Sequence, residues 1–193
     1  ARRFLKMMCK DIVIDDYEWF TIHKAEPGLI STFKQKIKDG KNIAIISEAG
    51  CPGIADPGQV LIAAAQELNA AVKPLVGPSS ILLALMASGM NGQQFEFVGY
   101  LPIENLERSK AITAMENISQ KKNSTQLFIE TPYRNNQMLE TLLKTCKPST
   151  RLCIAADLTS ADEYIKTKTI AEWKKEKTDF HKKPVIFLLY SGT

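Results

Sequence analysis

The sequence predicts an α/β protein built around a largely parallel sheet, and three observations carry that reading. Apolar, β-branched runs of strand length alternate with helix-period stretches nearly throughout the 193 residues. Loops of glycine, proline and other small residues follow the carboxyl ends of several strand-like runs. A boundary near 102–107 then divides the chain into two similar α/β units, residues 1–102 and 103–193.

The elements follow in order. Residues 19–23 read as a strand, and 29–38 as an amphipathic helix stopped by Gly40. Residues 43–46 form the next strand, and 59–71 a helix with Val60, Leu61, Ala64, Ala65 and Leu68 along one side. A short strand at 71–75 leads into a helix at 81–87, closed by Ser88 and Gly89. Residues 95–99 are again strand-like, and 108–118 helical with Ile112 and Met115 on the apolar side. A strand at 126–129 precedes a helix running to Thr145, with Thr131 as its cap and Pro132 in its first turn. Residues 151–156, 163–167 and 185–190 close the chain as strands with short connections, more antiparallel than parallel.

Composition narrows the class. A hydrophobic fraction of 45% and a charged fraction of 24% are those of an ordinary globular protein. The longest apolar run, 81–87, is too short to span a bilayer, and no charged-then-apolar leader opens the chain. Four scattered cysteines with no CxxC pair, and only His23 and His181 beside them, give no metal site. Both histidines read as surface or structural. A reducing cytoplasm is the expected compartment, and a chain beginning at Ala1 is expected to be processed or truncated. The net charge of +4 gathers in Arg2, Arg3, Lys6 and Lys10 and in seven lysines within 166–183. Such runs read either as solvated faces or as contacts for an anionic partner.

The chemistry concentrates in the strand-end loops. Residues 47–58, SEAGCPGIADPG, hold three glycines and two prolines, with Glu48 and Asp56 the only charges. A strand-to-helix turn needs roughly two to six residues, so this loop is oversized, and such loops bind ligands in open α/β sheets. Residues 77–80, 130–134 and 155–159 are further loops of this kind. Each alone reads equally as a turn or cap. Together they point to a cleft between two units, suited to a neutral or zwitterionic ligand held mainly by backbone. GxGxxG, GxxxxGK[ST], GxSxG and HExxH are all absent.

In these loops the chain resembles the tetrapyrrole methylases, a family of S-adenosylmethionine-dependent methyltransferases with two α/β domains and the cofactor cleft between them. The likeness is nearest to the subfamily that methylates a cytidine ribose 2′-hydroxyl in small-subunit ribosomal RNA. That subfamily's S-D-A-G-T-P-x-I-S-D-P-G is matched by residues 47–58, and its P-G-P-S-A by Val76, Gly77, Pro78, Ser79 and Ser80. Its F-x-G-F-L-P is matched at 97–102, its E-x-P-H-R at 130–134, and its A-R-E-L-T loosely at 155–159. Glu48, Cys51 and Ala156 depart from the pattern, standing where it has aspartate, threonine and arginine. The resemblance also implies that the family's first strand and one wall of its cofactor site precede Ala1, and that a carboxyl-terminal extension follows in longer members.

Carried over residue by residue, the resemblance implies that Gly50, Cys51, Gly53, Ile54, Ser79 and Ser80 contact S-adenosyl-L-methionine from the first domain. Glu130, Thr131, Ala156, Asp157 and Pro184 contact it from the second. A ribose hydroxyl needs a base to remove its proton, and Asp56, Glu48 and Glu130 are the candidates. Asp56 reads equally as a cap or turn residue before the 59–71 helix. The expected activity is methyl transfer to ribosomal RNA, in a homodimer, with no metal and no membrane. A small-molecule, tetrapyrrole-type methyltransferase and a non-catalytic cofactor-binding module are the alternatives.

Overall fold

The computed structural model describes residues 1–22 and 26–192, and by its contacts the chain parts into Ala1–Ser79 and Ser80–Thr193. The sequence boundary at 102/103 lies one helix and one strand beyond this division. His23, expected as a surface or structural histidine at the end of a strand, lies outside the described residues.

The first unit contains helices α1 (Arg2–Met8), α2 (Glu26–Lys38) and α3 (Gln59–Glu67), with a 3-10 turn at Ile14–Asp16. Gly40, at φ 73°, stops α2 as the sequence requires, and Lys41 N–H reaches back to the Lys36 carbonyl at 3.0 Å. Helices α2 and α3 pack together, joined by an ion pair of 2.6 Å between Lys34 and Glu67. Leu61, Ala64 and Ala65 are the buried side of α3, matching its apolar periodicity. The helix stops at Glu67 rather than 71, because Asn69 enters the left-handed region at φ 53°.

Residues 43–46, 71–75 and the described part of 19–23 are not strands. A strand is defined by a ladder to a neighbour, and no described segment of this unit offers one. Ile43, Ile46, Leu75 and Val76 accordingly stay exposed. The pattern marks these runs as apolar, but pattern alone does not supply a pairing partner.

The second unit is organised by one sheet. Its helices are α4 (Ser80–Ser88), α5 (Asn105–Lys122), α6 (Asn135–Thr145) and the short α7 (Ile170–Trp173). Its strands are β1 (Phe95–Tyr100), β2 (Thr125–Ile129), β3 (Arg151–Ala156), β4 (Tyr164–Thr169) and β5 (Val185–Tyr190), in spatial order β1-β2-β5-β3-β4. Only β1 and β2 are parallel; the other three pairings are antiparallel. The largely parallel sheet expected is thus a mixed one, with the last three strands antiparallel as their short connections predict. The short 157–163 connection cannot make a parallel crossover, and β5 inserts between β2 and β3.

Every residue of β5 is buried. Phe187 and Leu189 join Phe128, Leu152, Ile154, Ile112, Met138, Leu142 and Trp173 under α5, α6 and α7, where the Phe128 and Phe187 rings stack 5.5 Å apart. Ile186 and Leu188 join Leu127, Cys153 and Ala155 under Ala84 and Leu85 of α4. Thr167 Oγ1 donates to the Ser88 carbonyl at 2.7 Å and fastens the end of α4 to β4. Helix α7 begins on a capping box formed by Thr169 and Glu172.

Two buried charges brace the helices. Arg108, fully buried in α5, donates to Thr141 Oγ1, the Ile103 carbonyl and Asn105 Oδ1, and so ties α5 to α6 without a carboxylate. Glu116 accepts from Lys147 N–H at 2.8 Å and from Thr150 Oγ1, anchoring α5 to the turn before β3.

All four cysteines are free thiols; Cys146 and Cys153 are buried and Cys9 is exposed. Burial, with Glu116 beside it, pushes the Cys146 thiol up to about 12, and burial raises Cys153 as well. At pH 8 both stay protonated and sterically shielded. Titration with a thiol reagent should therefore label Cys9 in the folded protein, and Cys146 and Cys153 only in denaturant. Fast native labelling of Cys146 would contradict this packing.

Candidate functional site

The strand directions bring five predicted residues to one edge of the second unit's sheet. Strand β2 ends at Ile129, β3 ends at Ala156 and β5 starts at Val185, and in register Ile129 faces Ile186 while Ala156 faces Val185. Glu130, Thr131, Ala156, Asp157 and Pro184 therefore meet along this edge. Asp157 N–H donates to the Pro184 carbonyl at 3.0 Å, with Asp157 itself at φ 51°.

Glu130 is the most constrained of these groups. Its Oε1 accepts from Thr131 N–H at 2.6 Å and from Arg134 Nη2 at 2.6 Å and Nε at 3.1 Å. The Glu130 side chain is 1% exposed and that of Arg134 is 30% exposed. The hydrogen bond to Glu130 holds the Arg134 guanidinium above its ordinary range. This arrangement explains why α6 starts at Asn135 and not at Thr131. The carboxylate draws Thr131 N–H and Arg134 back into a turn, closed by Arg134 N–H to the Thr131 carbonyl at 2.9 Å, so Thr131 is not the helix cap.

The β5 entry is pinned to the same turn. Asn135 Nδ2 donates to the Phe180 and Lys183 carbonyls at 3.2 and 2.8 Å, and Lys182 N–H donates to the Pro132 carbonyl at 2.9 Å. Lys183 Nζ pairs with Asp157 Oδ2 at 2.7 Å, which raises the lysine's affinity for its proton. The sequence singled out neither Asn135 nor Lys183. Their partners lie tens of residues away in the chain, and no local pattern encodes that pairing. Glu130 Oε2 and Asn135 Oδ1 are buried acceptors with no donor among the described residues.

The first unit holds the remaining predicted residues except Ser80. In the 47–58 loop, Gly50, Gly53 and Gly58 adopt φ values of 73°, 77° and 126°, and Ala55 one of 55°. A Cβ at Gly50 would meet nothing within 4 Å, so the backbone there is open to a ligand. Gly53 N–H bonds the Pro57 carbonyl and Ile54 N–H the Cys51 carbonyl, folding the loop on itself. Cys51 Sγ lies 3.7 Å from the Pro78 carbonyl, which brings the loop against the chain just before Ser79. The N-cap of α3 is Gly58, so Asp56 is a turn residue and not the cap. Glu48 is almost fully exposed, 4.0 Å from the amino terminus. Ser80 opens α4 in the second unit.

Loops crowded at the strand ends of an α/β sheet are where such folds bind their ligands. The family model for tetrapyrrole (corrin/porphyrin) methylases matches residues 23–174, and the chain belongs to that family. A curated relative named "Ribosomal RNA small subunit methyltransferase I", from Buchnera aphidicola subsp. Schizaphis graminum, is 32% identical over 160 residues, 81% of this chain and 55% of its own. The chain spans about half the length of the curated relatives it matches. Among solved structures, a diphthine synthase is similar with a TM-score of 0.62 and 14% identity, over 88% of this chain and 68% of that one. A uroporphyrin-III C-methyltransferase from Thermus thermophilus, complexed with S-adenosyl homocysteine, aligns at a TM-score of 0.50 and 14% identity, over 88% of this chain and 75% of that one. At such identity these two likenesses speak for the fold alone.

The geometry around Glu130 has a measurable consequence. Arg134→Ala removes two donors from a buried carboxylate, and should lower stability by about 2 kcal/mol in urea unfolding. Adding Glu130→Gln should recover part of the loss. An unchanged midpoint in the single variant would show that the pair does not brace this edge.

Proposed function

We propose that the chain is the methyl-transferring part of an S-adenosyl-L-methionine-dependent enzyme that modifies small-subunit ribosomal RNA at a ribose 2′-hydroxyl. The single observation carrying this reading is the 32% identity, over 81% of the chain, to a relative bearing that ribosomal RNA methyltransferase name. The five ordered motifs of the strand-end loops agree with it.

The residues present fit the cofactor. Open backbone at Gly50 suits close approach, and the unpartnered acceptors Glu130 Oε2 and Asn135 Oδ1 suit a ligand rich in hydroxyl and amino donors. Gly50, Cys51, Gly53, Ile54 and Ser79 are the proposed contacts from the first unit, with Ser80 next in the chain at the start of α4. Glu130, Thr131, Ala156, Asp157 and Pro184 are those from the second. Bound there, the sulfonium supplies an activated methyl group.

The protein's task is then alignment and exclusion of water. Small-residue loops serve this by backbone contact, and the Glu130–Arg134 pair keeps the strand-end edge rigid. Glu130 spends Oε1 on three donors, so its place in the reading is to hold ligand and loop. Glu48 and Asp56, which are not tied up in this way, are the candidates for taking the 2′-hydroxyl proton as oxygen attacks the methyl carbon.

No helix among the described residues is long and apolar enough to cross a membrane. A cytoplasmic homodimer completes the reading. Leu82 and Met86, one turn apart on α4, and Ile103 and Leu106 offer exposed apolar surface for the second copy.

Incubating the chain with methyl-labelled cofactor and small ribosomal subunits should place label in RNA, in alkali-resistant 2′-O-methylated nucleotides. Label in a small-molecule extract instead would favour a tetrapyrrole-type substrate, and cofactor binding without any transfer would favour a binding module. In calorimetry Gly53→Val should lose at least tenfold in cofactor affinity while the far-ultraviolet spectrum is kept. Unchanged affinity would remove this loop from the pocket.

A further inference from the structure

Residues 166–183 hold seven lysines against Glu172, Glu176 and Asp179, a surplus of four that equals the formal net charge of the whole chain. Everything outside this stretch balances to zero. The structure gives the surplus a shape. Strand β4 is an edge strand, and alternation along it puts Lys166 and Lys168 on the same face as Tyr164, which packs against the core beneath α6 and α7. Lys168 then joins strand to turn: its Nζ lies 5.5 Å from the Trp173 ring centroid and pairs with Glu176. Lys174, Lys175 and Lys177 continue from the end of α7, all exposed. From there the chain returns through Lys182 and Lys183 to the strand-end edge, where Lys183 meets Asp157.

The lysines thus form a ridge along the outer margin of the sheet, from the α7 end to Lys183, where Asp157, Asp162 and Asp179 flank the approach to the candidate site. Edge strands use lysine to block pairing with other chains, and that accounts for Lys166 and Lys168. It does not account for Lys174, Lys175 and Lys177, which lie on a turn with no ladder to protect. Among the described residues Lys166, Lys174, Lys175, Lys177 and Lys182 carry no ion pair. Uncompensated cations gathered at one margin of the same sheet match a polyanion laid along that margin.

We infer that this β4–α7 ridge binds the phosphodiester backbone of the RNA whose ribose enters the strand-end edge. The inference rests on the ribosomal RNA reading above and adds the surface on which the substrate lies. The contacts are to phosphate, so they hold and orient the strand without reading its sequence.

The test compares two triple variants of equal charge change in the intact chain. One is Lys166→Gln, Lys174→Gln, Lys175→Gln on the ridge; the other is Lys121→Gln, Lys122→Gln, Lys144→Gln on α5 and α6. Binding to deproteinised small-subunit ribosomal RNA is measured across a salt series, and cofactor affinity is measured alongside. The ridge variant should lose about tenfold or more in RNA affinity at 0.1 M salt. Its slope of log affinity against log salt should shrink by about 2, at roughly 0.7 per phosphate contact on a single strand. The α5–α6 variant should keep both, and all three proteins should bind cofactor equally. Equal losses in the two variants would reduce the ridge to bulk charge and overturn the inference. An unaltered ridge variant beside a parent that binds and methylates RNA would overturn the ridge alone. A parent that binds no ribosomal RNA would overturn the ridge and the RNA reading together.

Discussion

The second unit depends on one constraint: β5 is buried along its whole length, so both of its edges must be paired and both of its faces covered. That requirement places β2 on one side and β3 on the other. It calls α5, α6 and α7 to one face and α4 to the opposite face. It also decides which loops share an edge. A strand inserted antiparallel between β2 and β3 has its first residue beside their last ones, and the loops carrying Glu130 and Asp157 must then share an edge with Pro184. The site follows from the core rather than being added to it.

How much of this was legible in the sequence differs from element to element. The run Val185–Tyr190 reads as a strand because six consecutive apolar or aromatic residues are what a strand buried on both faces needs. The five strands of the sheet lie within a residue or two of their expected places. The antiparallel run of the last three was legible in their short connections, but the insertion of β5 between β2 and β3 was not, since no local pattern encodes spatial order. The apolar runs at 43–46 and 71–75 show the opposite failure. Composition signals a strand, but only a neighbour's backbone makes one, and hydrogen-bond partners are not written in local pattern.

The candidate site divides in the same way. Glu130 and Arg134 are four residues apart, so a carboxylate and a guanidinium at one strand end could be seen before any fold was known. The Lys183–Asp157 pair and the grip of Asn135 on the β5 entry join distant parts of the chain. They became visible only with the topology. The 47–58 loop stands between these cases. Its glycines did mark positions of positive φ, while the helix start fell to Gly58 and freed Asp56 from a capping role. Family membership agrees with this pattern of small-residue loops.

Glu116 sets one end of the second unit's sheet apart from the other. At the sheet end away from Glu130, this carboxylate, Thr150 and the Ser119–Ser191 contact close the backbone with the protein's own groups. Among the described residues, Glu130 Oε2 and Asn135 Oδ1 at the opposite end stay without a donor, and Gln126 Oε1 is the one such acceptor toward the closed end. A ligand that donates to both Glu130 and Asn135 would complete bonds that the chain leaves unfinished, and so tighten an edge that the Glu130–Arg134 pair already holds in place.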